Sequence, residues 1–201
     1  MLPIILSDIM ENKWTKINLP EGTFQVQGTF FDESDDPKIL ELFMEWLNLS
    51  IKLKSFGGRG INMPEVISES LFCRQYPNTI RLTGDSKGGQ FKNSFDVFDI
   101  SRSKRIQVKA CSVLPDLTSF GPNSVWDELY FMTFPGYNST SLNKEIKIYL
   151  IPNDLIYNQK VSKTETMKQQ QEAYRRPRFS IYTEIIVKNN ILPVKTITLT
   201  L

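Results

Sequence analysis

The chain has 201 residues with a formal net charge of +2, a length that suits one domain over residues 1–201 and a composition ordinary for a soluble protein. No apolar run is long enough to span a bilayer and no signal peptide is visible, so we expect a cytoplasmic protein without membrane contact. The chain contains no histidine, which excludes the usual Ser–His and Cys–His catalytic pairs and leaves carboxylates and lysines as candidate chemical groups.

Charge is unevenly distributed along the chain. Residues 1–70 carry 6 basic and 11 acidic side chains, a balance of −5, whereas residues 71–201 carry 18 and 11, a balance of +7. The positive part is suited to a polyanion, although an unevenly charged solvated surface is the simpler explanation of charge alone. Cys73 and Cys111 are the two cysteines, and their apolar surroundings predict buried thiols and not a disulfide or a zinc site.

Two helices are predicted in the first half of the chain, after β-like residues 22–31. The first begins at Asp36, where an aspartate precedes a proline, and its apolar spacing continues to about Ser55. The second follows Gly60 and carries Glu65 and Glu69 four residues apart on one face. These glutamates form either a solvent-facing acidic stripe or part of a cation site.

A hairpin of two strands, 94–100 and 105–113, is predicted in the middle of the chain, after a loop or loosely held hairpin at 77–93. Alternation places Gln107 and Lys109 on one face of the second strand, opposite Ile106, Val108 and Ala110, which point to the core. Asp96 lies on the partner strand, with Asp85 as a rival. A carboxylate, an amide oxygen and an ammonium together suit a divalent cation beside a phosphate.

Polar and basic residues dominate the next two loops. The loop after the hairpin is suited to contacting bases or phosphates, or is simply a well-capped connection, through Asp116, Thr118, Ser119, Asn123 and Ser124. Strands are predicted at 126–134 and 145–151, a helix at 164–174, and closing strands at 181–187 and 194–201. Arginines and a glutamine around the helix end favour DNA contact over a solvated face: Gln170, Arg175, Arg176 and Arg178.

The spacing of Asp96, Gln107, Val108 and Lys109 resembles the PD-(D/E)XK nuclease motif, an aspartate on one strand and an acid-x-lysine on the next. The blocks RGINMPEVISES, RIQVKACSVLPDLTSFGPNSVWDELYF and RRPRFS, between residues 59 and 180, resemble the small type II restriction endonucleases that cut the interrupted palindrome GCNGC. Two residues depart from the motif: Phe95 replaces its proline, and Gln107 replaces an acid and brings no charge. The resemblance implies that Glu65, or Glu69 as the alternate, supplies the missing carboxylate.

The resemblance also implies an α/β fold with a central mixed sheet flanked by helices, and metal-assisted hydrolysis of double-stranded DNA to 5′-phosphate and 3′-hydroxyl ends. The expected metal is Mg²⁺, for which Mn²⁺ substitutes, held by Asp96, Gln107, the Val108 carbonyl and Glu65, with Lys109 orienting water. Arg59 joins the expected DNA contacts. A palindromic target implies a homodimer, and a cognate DNA methyltransferase is the expected partner in the cell.

Three alternatives remain at this point. The first is a nuclease of the same fold that acts on junctions or mismatches, which would need fewer base-reading side chains. The second is a DNA-binding regulator without catalysis. The third is a structural α/β protein, which would show no salt-dependent DNA binding.

Overall fold

A mixed eight-stranded sheet forms the centre of the protein in the computed structural model, which describes residues 12–58, 61–87, 94–134 and 145–198. Its strand order is β1-β2-β3-β4-β5-β7-β8-β10, and β6 and β9 form a separate two-stranded ribbon. Neighbouring strands are antiparallel except β5 and β7, which are parallel. The bounds are β1 Lys13–Leu19, β2 Gly22–Thr29, β3 Thr79–Ser86, β4 Val97–Asp99, β5 Lys104–Cys111, β6 Thr118–Ser119, β7 Glu128–Thr133, β8 Glu145–Ile151, β9 Arg178–Phe179 and β10 Lys195–Thr198.

Helices cover both faces of the sheet. They are α1 Asp36–Ser55, α2 Glu65–Gln75, α3 Asn153–Tyr157 and α4 Met167–Glu172, together with a 3₁₀ turn at Glu33–Asp35 and a π-helix at Tyr182–Val187. The predicted mixed sheet flanked by helices is therefore confirmed. In the described parts of the chain, no helix is long and apolar enough to cross a membrane.

The predicted bounds of α1 are confirmed, and local chemistry explains them. Pro37 occupies the first turn, where a missing N–H costs no hydrogen bond. Gly57, with φ +77°, reverses the chain just after the helix, a conformation that glycine adopts without strain. The buried residues of α1 include Phe43 and Leu47, which pack against the sheet.

Side-chain alternation separates the two cores. On β5, Ile106 and Val108 are buried in the core under α1 and α2, as predicted. On β7, Tyr130 lies in that core, whereas Phe131 lies in the core on the opposite face, which includes the buried isoleucines of the π-helix.

Two predicted elements differ from the structure. Residues 79–86, predicted to lie in a loop or a loosely held hairpin, form a strand inside the sheet, because Ile80 and Leu82 alternate with polar residues and fill the core beneath β1 and β2. Residues 182–187 form a π-helix and not a strand. Ile181, Ile185 and Ile186 are buried together while Val187 is exposed, a helical spacing that the β-branched composition concealed.

The two cysteines are free, as expected. Burial raises the pKa of Cys73 and of Cys111 to about 12. Both therefore remain thiols near neutral pH and have little nucleophilic character.

Candidate active site

Asp96 lies directly before β4, at the point where β4 stops pairing with β5. Its main chain continues the sheet on both sides: Asp96 N donates to the carbonyl of Ile106 at 3.1 Å, and Leu82 N donates to the carbonyl of Asp96 at 3.0 Å. Because β4 pairs with β5 only as far as Ile106, the next free edge N–H is that of Val108. This N–H donates to Asp96 Oδ2 at 2.9 Å, which fixes the carboxylate against β5.

Gln107 lies beside Asp96, and its amide nitrogen makes the contact between them. It is 3% exposed, and its amide nitrogen also donates to Asp96 Oδ2. The side chain therefore holds the Asp96 carboxylate in this structure. The predicted metal contact through its oxygen stays a prediction.

Burial, more than any charged neighbour, shifts the pKa of Asp96. Burial raises the pKa of Asp96, and the carboxylate of Glu65 raises it further. The ammonium of Lys109 and the N–H of Val108 oppose that rise. Asp96, Glu65 and Lys109 thus lie within electrostatic reach of one another, although they come from three different elements.

An open groove of about 730 Å³ runs beside β5 and exposes part of this charge cluster. We call it the β5 groove. It is bounded by the residues that lead into α2, by the C-terminal half of β5 and by the β6–β9 ribbon, and its polar lining includes Glu65, Ser68, Lys109, Ser119 and Arg178. The structure therefore brings eight sequence-predicted residues to one place. Asp96 lies behind Val108, and the groove is lined by the other seven: Glu65, Val108, Lys109, Asp116, Thr118, Ser119 and Arg178.

Glu65 and Glu69 stand in contrasting environments, although both come from α2. Glu65 is the first residue of the helix and is exposed in the β5 groove. Glu69 is 5% exposed, and its Oε2 accepts from Arg81 Nε at 2.7 Å. Burial first, and then the Asp96 carboxylate, raise the pKa of Glu69 to about 8 against the pull of Arg81. Of the two, Glu65 is the carboxylate open to a ligand.

Arg81 was not found by sequence reasoning. It lies on β3, pairs with Glu69, and its positive charge also lowers the pKa of Asp96. Its signal was available, because an arginine between Ile80 and Leu82 in an alternating segment must face the opposite side of the sheet from those core residues. The interpretation of 77–93 as a loop or loosely held hairpin concealed it.

Asp116 is a structural residue of the loop after β5. It accepts hydrogen bonds from the hydroxyls of Thr118 and Ser180, at 2.6 and 2.7 Å, and from the main-chain nitrogens of Ile181 and Tyr182, both at 3.0 Å. The last two are at the start of the π-helix. These bonds occupy the carboxylate. They favour the interpretation of Asp116 and Thr118 as residues that cap and hold the loop over their interpretation as base contacts. In contrast, Ser119 Oγ is buried and has no hydrogen-bond partner among the described residues.

The remaining predicted DNA contacts lie elsewhere. Asn123 and Ser124 line a second groove, of about 680 Å³, with Tyr157 and Tyr174. Arg175 and Gln170 both bind the carboxylate of Glu165, Arg175 in an ion pair and Gln170 at 3.3 Å. Arg176 is exposed outside both grooves. Arg59 and the side chain of Asp85 lie outside the described part of the structure.

The donor set at Asp96 suits a hard divalent cation. Nowhere in the described ranges do three or more His, Cys, Asp or Glu side chains meet as a metal cluster. The Glu65 carboxylate nevertheless lies close enough to raise the pKa of Asp96, which is bonded to the main chain of Val108. Carboxylate and carbonyl oxygens of this kind are the ligands that Mg²⁺ prefers, with water in the remaining positions.

Comparisons with known proteins identify a family for this chain. Residues 31–188 match the family model described as Bsp6I restriction endonuclease. The chain is also 33% identical over 171 residues to the type II restriction enzyme Bsp6I of Bacillus sp. strain RFL6, which covers 84% of this chain and 90% of that protein. No solved structure matches the chain. The family match spans α1, α2 and the whole of β5, and so includes every residue of the Asp96 cluster.

Proposed function

Because the chain belongs to the Bsp6I restriction endonuclease family, and is thus an endonuclease, we propose that it is a type II enzyme of the PD-(D/E)XK fold that cuts double-stranded DNA at a short palindrome. GCNGC is the first sequence to test, since the residue blocks around Glu65, Lys109 and Arg178 resemble enzymes with that target. The proposed products are 5′-phosphate and 3′-hydroxyl ends. The proposed cofactor is Mg²⁺, with Mn²⁺ as a substitute.

The observation that carries this proposal is the position of Asp96 and Lys109. The carboxylate is fixed by the main chain of β5 at Val108, and the ammonium lies on the next residue of the same strand, in the β5 groove. A fixed carboxylate beside an open groove that contains an ammonium group is suited to phosphodiester hydrolysis. The ammonium can stabilise both the phosphate and the negative charge that develops on it.

Asp96, Glu65 and the main-chain carbonyl of Val108 would hold the divalent cation. When bound, the cation supplies positive charge to the scissile phosphate and lowers the pKa of a nearby water. Gln107 acts on Asp96, because its amide nitrogen holds the carboxylate in a fixed orientation, and its amide oxygen stays a predicted ligand of the cation.

Lys109 and Arg178 act on the DNA directly. Neither makes a contact ion pair with a carboxylate of the described residues, unlike Arg81 and Arg175. Lys109 positions the attacking water and offsets charge that develops on the phosphate. Arg178 lies on β9, across the groove from Lys109, and binds another phosphate of the DNA strand that is cut.

The proposed substrate also implies partners. A palindrome is read most simply by a two-fold symmetric protein, so we propose a homodimer in the cytoplasm. A methyltransferase acting on the same DNA sequence would protect the host DNA.

Cleavage of unmethylated plasmid DNA with Mg²⁺ tests the proposal. We expect Lys109→Met and Asp96→Asn to lower the cleavage rate by a factor of roughly 10² to 10³, the usual effect of removing one electrostatic group from an active site. DNA binding by Lys109→Met, measured without metal, should persist. Lys160→Met, an exposed lysine far along the chain, is the matched control and should cut as the wild type does.

The alternatives predict other results. A nuclease specific for junctions or mismatches would cut branched or mismatched DNA and leave linear duplexes intact. A regulator would bind DNA and cut nothing with either metal. If both active-site variants cut as the wild type does, the assignment of Asp96 and Lys109 is wrong.

A further inference from the structure

An apolar stripe lies on the outside of α1, the helix that covers one core. Its members are three exposed leucines and a phenylalanine, separated in turn by seven, four and three residues: Leu42, Leu49, Leu53 and Phe56. At 3.6 residues per turn this spacing places them in one row. Phe56 is 92% exposed, which is unusual for so large an apolar side chain and marks a surface suited to contact with another molecule.

The charges beside the stripe indicate what it contacts. Glu45 and Lys52 are also seven residues apart and lie along the same flank, the acid toward the start of α1 and the base toward its end. Within the described ranges, neither side chain makes an ion pair. A second α1 running antiparallel would place Glu45 of each copy beside Lys52 of the other. A parallel copy would place like charges together.

The stripe is also connected to the active site. Trp46 lies next to it on α1, and its Nε1 donates to the carbonyls of Ile61 and Asn62, both at 3.1 Å. Asn62 and Glu65 line the β5 groove. A contact between two copies at the stripe would thus involve the helix that also holds the segment bordering the β5 groove of each copy.

We propose that this stripe is the surface through which two copies of the chain associate, with the two α1 helices antiparallel across a two-fold axis near Leu49. A two-fold contact of this kind is isologous, so each half supplies the same apolar row and the same charge pair. The proposal rests on the proposed function for the need of a dimer, and it specifies the interface.

Sedimentation of the full chain, without DNA or metal, tests the interface separately from catalysis. The wild type, 23.2 kDa per chain, should be dimeric. Leu49→Glu should raise the dimer dissociation constant at least 100-fold. Ile51→Glu is the matched control: Ile51 is 45% exposed against 48% for Leu49, and it lies on the opposite side of the same helix. It should remain dimeric.

Charge reversal provides a test that does not depend on the folding of one variant. Glu45→Lys alone and Lys52→Glu alone should each weaken self-association at least tenfold, because each creates two like-charged contacts. A mixture of the two variants should form heterodimers with the wild-type affinity, because both contacts are then opposite in charge.

Three results would overturn the proposal: a monomeric wild type, a dimer that Leu49→Glu leaves intact, or equal dissociation of Leu49→Glu and Ile51→Glu. A dimer with the predicted interface that cuts no DNA would instead refute the proposed function and leave the interface standing. DNA cleavage by a protein that dimerises through another surface would refute the interface and leave the proposed function standing.

Discussion

Replacement of Asp116 tests whether the loop after β5 is held by a capping carboxylate or serves to read DNA. The carboxylate accepts from Thr118, Ser180, Ile181 and Tyr182, all at 2.6–3.0 Å, and is 8% exposed. Asp116→Ala would leave two hydroxyls and two main-chain N–H groups without their acceptor, in a position closed to most water.

The magnitude follows from these contacts. Loss of a helix-capping acceptor costs about 1–2 kcal/mol, and each hydroxyl that loses a charged partner adds about 1.5 kcal/mol. Because the four donors share one acceptor, the terms do not add fully, and we expect a loss of about 3–4 kcal/mol in the free energy of unfolding. For a chain of this length that lowers Tm by about 10 °C. Asp116→Asn keeps one oxygen acceptor and should lose about half as much.

Urea unfolding followed by circular dichroism measures this loss. Glu172→Gln, an exposed carboxylate at the end of α4, is the matched control and should change stability by less than about 0.5 kcal/mol. An Asp116→Ala protein as stable as the wild type would refute the capping role. A stable Asp116→Asn protein that cuts an altered DNA sequence would restore the base-reading interpretation.

Three further outcomes are expected. The pKa of Glu69 is about 8 in the folded protein against an ordinary value of 4.5, so its stabilising contribution is complete below pH 4.5 and is lost as the pH rises through 8. In urea without metal, Glu69→Gln should therefore have the same unfolding midpoint as the wild type at pH 5 and a higher one at pH 9. Equal midpoints at both pH values would contradict this. Arg178→Ala should weaken DNA binding and lower the slope of log K against log salt by about 1. Arg175→Ala should change that slope less, because Arg175 is paired with a carboxylate of the protein itself. Equal slopes for the two variants would argue against the β5 groove as the phosphate site. A thiol reagent at pH 8 should label neither Cys73 nor Cys111 in the folded protein, because burial raises the pKa of each to about 12, and should label both in urea. Rapid labelling of the native protein would contradict the burial of the thiols.

The sequence predicts the parts of this fold whose periodicity is local. α1 has a proline at its start, a glycine after its end and a regular apolar spacing, and all three can be read from the residues alone. The alternation of β5 likewise predicts that Ile106 and Val108 face a core. In contrast, the β-branched residues of 181–187 favoured a strand. Their helical state depends on Asp116, about 65 residues earlier in the chain, which binds the first turn.

Pairings between distant residues limited the prediction of the site. The proximity of Asp96 and Lys109 could be predicted, because a hairpin joins them. Which glutamate faces the groove could not be decided from α2 alone, because Arg81 on β3 occupies Glu69 and leaves Glu65 exposed. Arg175 looked like a DNA contact beside its neighbouring arginine, but its ion pair with Glu165 forms only when the loop folds back. Such contacts depend on tertiary packing and leave no periodic signal in the sequence.

Mapping of cut ends on unmethylated DNA tests the central claim most directly. With Mg²⁺, the wild type should yield discrete fragments whose ends lie at one short palindrome, GCNGC in the first instance, with 5′-phosphates that ligase rejoins. Lys109→Met should yield none in the same time. No cleavage by the wild type with Mg²⁺ or Mn²⁺, or ends scattered without a common sequence, would contradict the account.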